Sequence, residues 1–262
     1  MNMIDTHSHI YAEEFDADRA ETLQRAWDAG VEALLLPDID SESRGRMFEL
    51  AMAHPTKCLP MAGLHPTSVN DNPRWQEELD MVERLLSEPP MRLYGVGEIG
   101  LDLYWSTDYY KIQREVLHAQ LELALKYDLP VAIHTRSAYK EMLDAVATYR
   151  GRGLRGVFHA YADGVDMARK LAALGDFVFG VGGVVTFKNS GLDRVVAELP
   201  TELLVLETDC PYLTPVPHRG KRNESAYVEF VCRKIAELHG LSVEQIDQIT
   251  TSTAKRLFAI EG

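Results

Sequence analysis

The chain has 262 residues, 46% of them hydrophobic and 26% charged, enough to bury a full core and ordinary for a soluble globular protein. Lysine and arginine number 27 against 40 aspartates and glutamates, and the formal charge of −13 argues against a protein that grips long duplex through a broad basic face. No run approaches the roughly eighteen apolar residues of a membrane span, and three scattered cysteines, Cys58, Cys210 and Cys232, with no C-x-x-C pair argue against a disulfide framework or a thiolate zinc site.

The opening MNMIDTHSHI has no basic segment followed by an apolar stretch, so the expected location is the cytoplasm. A strand is predicted at 3–6, then a helix at 17–29, opened by Asp16 and closed by Gly30. Strand 33–36 is followed by helix 44–53, which stops before Pro55, and strand 58–63 by helix 75–86, which stops before Pro89 and Pro90. After strand 93–97 comes the longest helix, 111–127, with Ile112, Val116, Leu117, Leu121 and Leu125 on one stripe. Strand 130–135 and helix 138–149, strand 156–160 and helix 165–174, and strand 177–181 and helix 192–199 continue the alternation. Strand 203–208 precedes helices 226–238 and 243–258. The strands are short and apolar on both faces, as strands covered on both sides are. Eight strands alternating with helices predict parallel pairing with right-handed crossovers, and a closed α/β barrel of the (β/α)8 TIM type over an open sheet. With no linker long enough to divide the chain, residues 1–262 are read as one domain.

Active sites of such barrels lie at the C-terminal ends of the strands, and the polar residues gather there. The first strand runs into Asp5-Thr6-His7-Ser8-His9, with two histidines two apart and so on one side of an extended chain. The third ends at Gly63-Leu64-His65-Pro66, the fourth at Gly97-Glu98-Ile99-Gly100-Leu101-Asp102, the fifth at Ile133-His134-Thr135-Arg136, the sixth at Phe158-His159 and the eighth at Glu207-Thr208-Asp209. Five of the nine histidines therefore fall at strand ends. Any one alone is best explained by packing; the joint placement points to metal. Imidazole with carboxylate suits Zn²⁺, Mn²⁺ or Fe²⁺, and the carboxylates also admit Mg²⁺. His7, His9, Glu98, His134, His159 and Asp209 are the candidate ligands. Glu98 stands between two groups of them, and its two oxygens can bridge two divalent ions about 3.5–4 Å apart that polarise a substrate oxygen and acidify a water. Asp209 can both bind metal and take that water's proton. Glu207 is read as a residue that holds a ligand or a nearby arginine in orientation.

At these residues the sequence resembles the TatD family of metal-dependent deoxyribonucleases over nearly its whole length, including Glu207-Thr208-Asp209-Cys210-Pro211-Tyr212-Leu213-Thr214-Pro215 and Arg222-Asn223-Glu224. The resemblance implies a nuclease that hydrolyses phosphodiester bonds in DNA, as a 3′–5′ exonuclease on single-stranded ends, with two divalent ions (Mg, Mn or Zn) per subunit. By position it gives one ion to His7, His9, Glu98 and Asp209, the other to Glu98, His134 and His159, and the substrate phosphate to His65. After His159 the family often reads Cys-Phe-Ser-Gly, whereas here Ala160-Tyr161-Ala162-Asp163-Gly164 alters a loop at the pocket mouth.

Other residues keep two readings. Arg136 follows a barrel strand, and Arg222 sits in a basic loop with His218, Arg219 and Lys221; each is an ordinary surface charge or a contact to substrate phosphate. Tyr104 and Trp105 either pack or stack on an unpaired base. Asp102 caps a turn, and Cys210 belongs to the core. The alternative function is hydrolysis of a small ester, lactone or phosphodiester on the same barrel. Many barrels of that branch bridge their metals with a carbamylated lysine; the residue here is Glu98.

Overall fold

The computed structural model describes residues 1–261, and in it short strands alternate with helices along the chain. The order is β1 (Met3–Asp5), α1 (Arg19–Asp28), β2 (Val31–Leu36), α2 (Ser41–Ala53), β3 (Cys58–Pro60), α3 (Trp75–Ser87), β4 (Val96–Asp102) and α4 (Tyr110–Lys126). It continues through β5 (Val131–Arg136), α5 (Tyr139–Ala147), β6 (Arg155–Phe158), α6 (Val165–Ala172), β7 (Asp176–Val181), α7 (Leu192–Glu198), β8 (Leu204–Leu206), α8 (Val228–His239) and α9 (Val243–Phe258).

Strands β1 to β3 pair in parallel as one sheet and β4 to β8 as another, each strand beside its predecessor. Backbone hydrogen bonds cross both seams. Between β3 and β4, Gly97 N donates to Ala62 O at 2.9 Å. Between β8 and β1, Thr6 N donates to Leu206 O and Asp209 N to His7 O, both at 2.9 Å. The eight strands thus follow one another round a ring, the (β/α)8 arrangement expected from the alternation.

Period-two alternation along each strand separates two cores. One side of the strands, with Leu34, Leu36, Ile133, Phe158, Phe177, Phe179, Leu204 and Leu206, packs under the helices. The other fills the ring with Ile4, Ala33, Leu35, Leu59, Met61, Ala132, Val157, Val178 and Val205. Helix α9 closes the floor of that inner core with Ala254, Leu257 and Phe258. It is started by a capping box between Ser242 and Gln245, and it is tied to the strand starts by Lys255 to Glu32 at 2.9 Å and by the Arg256–Asp176 ion pair.

Several boundaries differ from the sequence reading. Helix α2 begins at Ser41, not 44, because the Asp40 carboxylate accepts from Ser43 N and caps it. Strand β4 runs to Asp102 instead of stopping at 97, so Glu98 lies within the strand. The strand includes two glycines, Gly97 and Gly100. They belong to the strand because a Cβ at Gly100 would overlap the His134 carbonyl, and one at Gly97 would meet Ala132. Helix α8 starts at Val228 after a 3-10 turn over Ser225–Tyr227. Among the described residues, no helix is long and apolar enough to cross a membrane.

Phe258 is buried against the ring interior, so Phe258→Ala should cost about 3–5 kcal/mol of unfolding free energy, read as a lower urea midpoint. A loss below about 1 kcal/mol, the range of surface substitutions, would show that α9 does not plug the barrel.

Candidate metal centre

The alternation that fills the floor also builds the site above it. Two residues beyond Ala132 on β5 comes His134, and two beyond Val157 on β6 comes His159. On the β8 side the inward sequence is Val205, Glu207, Asp209. Gly180 on the neighbouring β7 makes room, since a Cβ there would overlap the Glu207 carboxylate. Asp5 locks β1 to β8: its carboxylate accepts from Thr208 N at 2.9 Å and Thr208 Oγ1 at 2.6 Å. Burial pushes the Asp5 carboxyl up to about 7, against the pull of those donors. Asp209 holds a left-handed backbone, with φ of 54°, a conformation that aspartate tolerates better than most residues.

Glu98 is the centre of the arrangement, and its two oxygens face different partners. Oε2 lies 3.1 Å from His7 Nε2 and 3.4 Å from His9 Nε2. Oε1 lies 2.9 Å from His134 Nδ1, 3.0 Å from His159 Nε2 and 3.3 Å from His65 Nε2. Asp209 Oδ1 closes the first group at 3.5 Å from His9 Nε2 and 3.8 Å from His7 Nε2. The six expected ligands therefore meet in one place, and His65 joins them.

Electrostatics divides these groups by sign. Burial raises the Glu98 carboxyl, but the potential of His65, His159 and His7, with the His134 hydrogen bond, outweighs it and holds the group well below the usual carboxylate range. Asp209 is likewise raised by burial and brought below its ordinary value by the His9 hydrogen bond and by His159 and His7. Burial lowers the His9 ring, yet Asp209 and Glu98 carry it up to about 9. His134 and His159 are raised in the same manner, against burial, by Asp102 with Glu98 and by Glu98 with Glu207. His7 and His65 go down, since burial prevails there.

The donor set fits divalent ions. His7 Nε2 and His9 Nε2 are 3.1 Å apart and both close to one carboxylate oxygen. Two imidazole nitrogens cannot both donate to each other, whereas donors held about 2.0–2.2 Å from a common ion sit roughly 3–3.5 Å apart. Three sets have this character: His7, His9 and Glu98; His7, His159 and Asp209; and His65, Glu98 and His134.

Outer contacts orient the rings. His9 Nδ1 meets Tyr11 Oη at 3.0 Å, and that hydroxyl donates to Pro37 O. His65 Nδ1 meets Thr67 Oγ1 at 2.7 Å. Glu207 accepts from Ala160 N at 2.6 Å and lies 3.5 Å from His159 Nδ1; among the described residues no arginine reaches it. Asp102 does more than cap its turn. One oxygen accepts from Tyr104 N at 3.1 Å, and the other meets His134 Nε2 at 3.0 Å.

The two candidate arginines stand apart from the cluster. Arg136 lies exposed at the rim, stacked over Tyr104. Arg222 pairs with Asp18 at 2.7 Å, donates to Glu14 O and covers Phe15. Its neighbours are also engaged: Asn223 Nδ2 donates to Thr208 O and Tyr212 O, and Glu224 takes both Arg25 Nε and Nη2. This Arg-Asn-Glu run fastens the turn after Asp209 to α1, a role that spacing along the chain could not reveal. His54, His118 and His239 lie on helices or at their ends, away from this cluster.

A family model described as TatD related DNase matches residues 4–259. The chain is 36% identical over 259 residues to the "uncharacterized metal-dependent hydrolase YabD" of Bacillus subtilis (strain 168), covering 98% of this chain and 99% of that protein. It is 28% identical to the "3'-5' ssDNA/RNA exonuclease TatD" of Pectobacterium parmentieri, over 98% and 100% of the two chains. The crystal structure of the TatD homolog YjjV from Escherichia coli K12 superposes with a TM-score of 0.90 at 29% identity, covering 99% of this chain and 98% of that one.

If Asp102 fixes the His134 ring for ligation, Asp102→Asn should weaken Mn²⁺ binding by about 10–100-fold in a titration of metal-free protein. Wild-type affinity in that variant would leave Asp102 as a turn cap alone.

Proposed function

The chain belongs to the TatD family of metal-dependent hydrolases, and on that premise we propose that it hydrolyses phosphodiester bonds in DNA, as a 3′–5′ exonuclease acting on single strands. The observation that carries the reading is the division of Glu98, one oxygen toward His7 and His9 and the other toward His134 and His159. A carboxylate so placed suits two divalent ions side by side, and a close pair of charges suits the two oxygens of a phosphodiester displacement. The relative named an ssDNA/RNA exonuclease supports the choice of substrate.

In this reading His7, His9, Glu98 and Asp209 would hold one ion, and Glu98, His134 and His159 the other. Ions bound there would supply Lewis acidity to the phosphate and lower the pKa of a water. The chain's own groups do the rest. The Asp209 side chain, 16% exposed, faces the opening while the Glu98 side chain is 3% exposed, so Asp209 is the carboxylate that a substrate and an attacking water can reach. Held ionised by its histidine neighbours, it accepts the water's proton. His65, directed at Glu98 Oε1 and held by Thr67, would contact a phosphate oxygen in this reading.

Asp209→Asn should lower kcat by about 10²–10⁴-fold with the far-UV spectrum intact, because the amide cannot take the proton and is a poorer ligand. A kcat near wild type at saturating metal would remove Asp209 as the base. The substrate reading is tested with single-stranded DNA, duplex DNA, RNA and small esters, each with Mg²⁺, Mn²⁺ and Zn²⁺. Single-stranded DNA should be turned over fastest and chelation should abolish the activity; faster turnover of an ester or lactone would overturn it.

A further inference from the structure

The rim of the barrel carries an aromatic surface that packing does not explain. Trp105 is 70% exposed and Tyr104 56%, with their rings edge to face at 4.9 Å. The Arg136 guanidinium lies 3.7 Å from the Tyr104 ring and 5.4 Å from that of Trp105. Its contacts are aromatic, and no carboxylate pairs with it among the described residues. A guanidinium stacked by its face keeps its N–H edge free for an anion.

This group is fixed to the metal centre. Register places Asp102 opposite Arg136 across β4 and β5, with His134 two residues earlier. Leu103 N donates to Arg136 O, and Tyr104 N to the Asp102 oxygen that His134 does not use. Across the opening, β8 stands four strands from β4 in the ring. There Tyr212 is 57% exposed, and its backbone is held by Asp209 O and the Asn223 amide. Two aromatic edges therefore flank the mouth from opposite sides, each hydrogen-bonded to a residue of the metal centre or its support.

We propose that Tyr104, Trp105 and Tyr212 form a binding site for the unpaired bases at the end of a single strand, with Arg136 taking a phosphate of its backbone. In a duplex the base faces are occupied by their neighbours, and an unpaired end is what leaves them free to stack on a side chain. A surface of net charge −13 offers little general attraction for a polyanion, so stacking supplies what charge does not. The site deepens the phosphodiesterase reading and rests on it for the direction of the strand.

The test is equilibrium binding by anisotropy, with Ca²⁺ as the ion, of a labelled eight-nucleotide oligothymidylate and of the same length of abasic strand. Wild type should prefer the strand with bases. Trp105→Ala and Tyr212→Ala should each weaken oligothymidylate by about 5–150-fold, the worth of one stacked base, and keep wild-type affinity for the abasic strand. Arg136→Gln should weaken both. Equal affinity of wild type for the two strands, no binding of either, or equal losses on both in the aromatic variants would overturn the proposal. Because binding needs no turnover, the rim can fail while the hydrolase reading stands, and the reverse.

Discussion

The structure is organised around one costly group, a carboxylate buried at the middle of a barrel. Glu98 is 2% exposed, and an ionised carboxylate removed from water without compensation would cost several kcal/mol. Five imidazoles converge on or beside it, from β5 and the segments that follow β1, β3 and β6. The rest of the centre follows from keeping that charge compensated. Tyr11, Thr67 and Asp102 hold the outer nitrogens of His9, His65 and His134, Glu207 lies 3.5 Å from that of His159, and the His7 ring is stacked on His159. The centre is thus a layered arrangement in which outer hydrogen bonds determine which nitrogen of His9, His65 and His134 points inward.

A second constraint is steric. Three glycines, at 97, 100 and 180, lie where a Cβ would collide with the adjoining strand or with Glu207. They let β4 approach β5 and let a fully buried glutamate stand beside β7. The backbone also bends at the strand ends: Ser137, Ala160 and Asp209 all take positive φ. Ala160 is held there by Glu207 and Asp209 by His7 O, so positions that cost about 1–3 kcal/mol in isolation are over-determined by the contacts they make.

Much of this was legible in the sequence, and for a physical reason. Parallel strands buried on both sides are short apolar runs, and the barrel places function at their C-terminal ends, so His7, His9, His134, His159 and Asp209 could be read by position. Local polarity misled where it had a tertiary cause. Gly97-Glu98-Ile99-Gly100 looked like the end of a strand, yet it is the middle of one. Asp102, read as a turn cap, divides its carboxylate between the turn and His134. For Arg222 the basic loop left a surface charge and a phosphate contact both open. Its carboxylate partner, Asp18, is 204 residues away in sequence, a contact that no periodicity reports.

The loop after β8 shows how such distant pairs serve the centre. Asp209 can hold its position only if the segment after it is fixed, and residues 210–224 contain three prolines and no regular helix. Asn223 spans it by donating to Thr208 O on one side and Tyr212 O on the other. Arg222 and Glu224 on either side of Asn223 then reach Asp18 and Arg25 of the first βα unit, so that the last strand's loop is fastened to the first helix across the β8–β1 seam. These ion pairs are partly exposed and individually worth little. Their consequence is geometric. They reinforce the seam where His7 and His9 from the start of the chain face Asp209 from near its end, a seam that the Asp209 N to His7 O bond and the Asp5–Thr208 contacts already close from within.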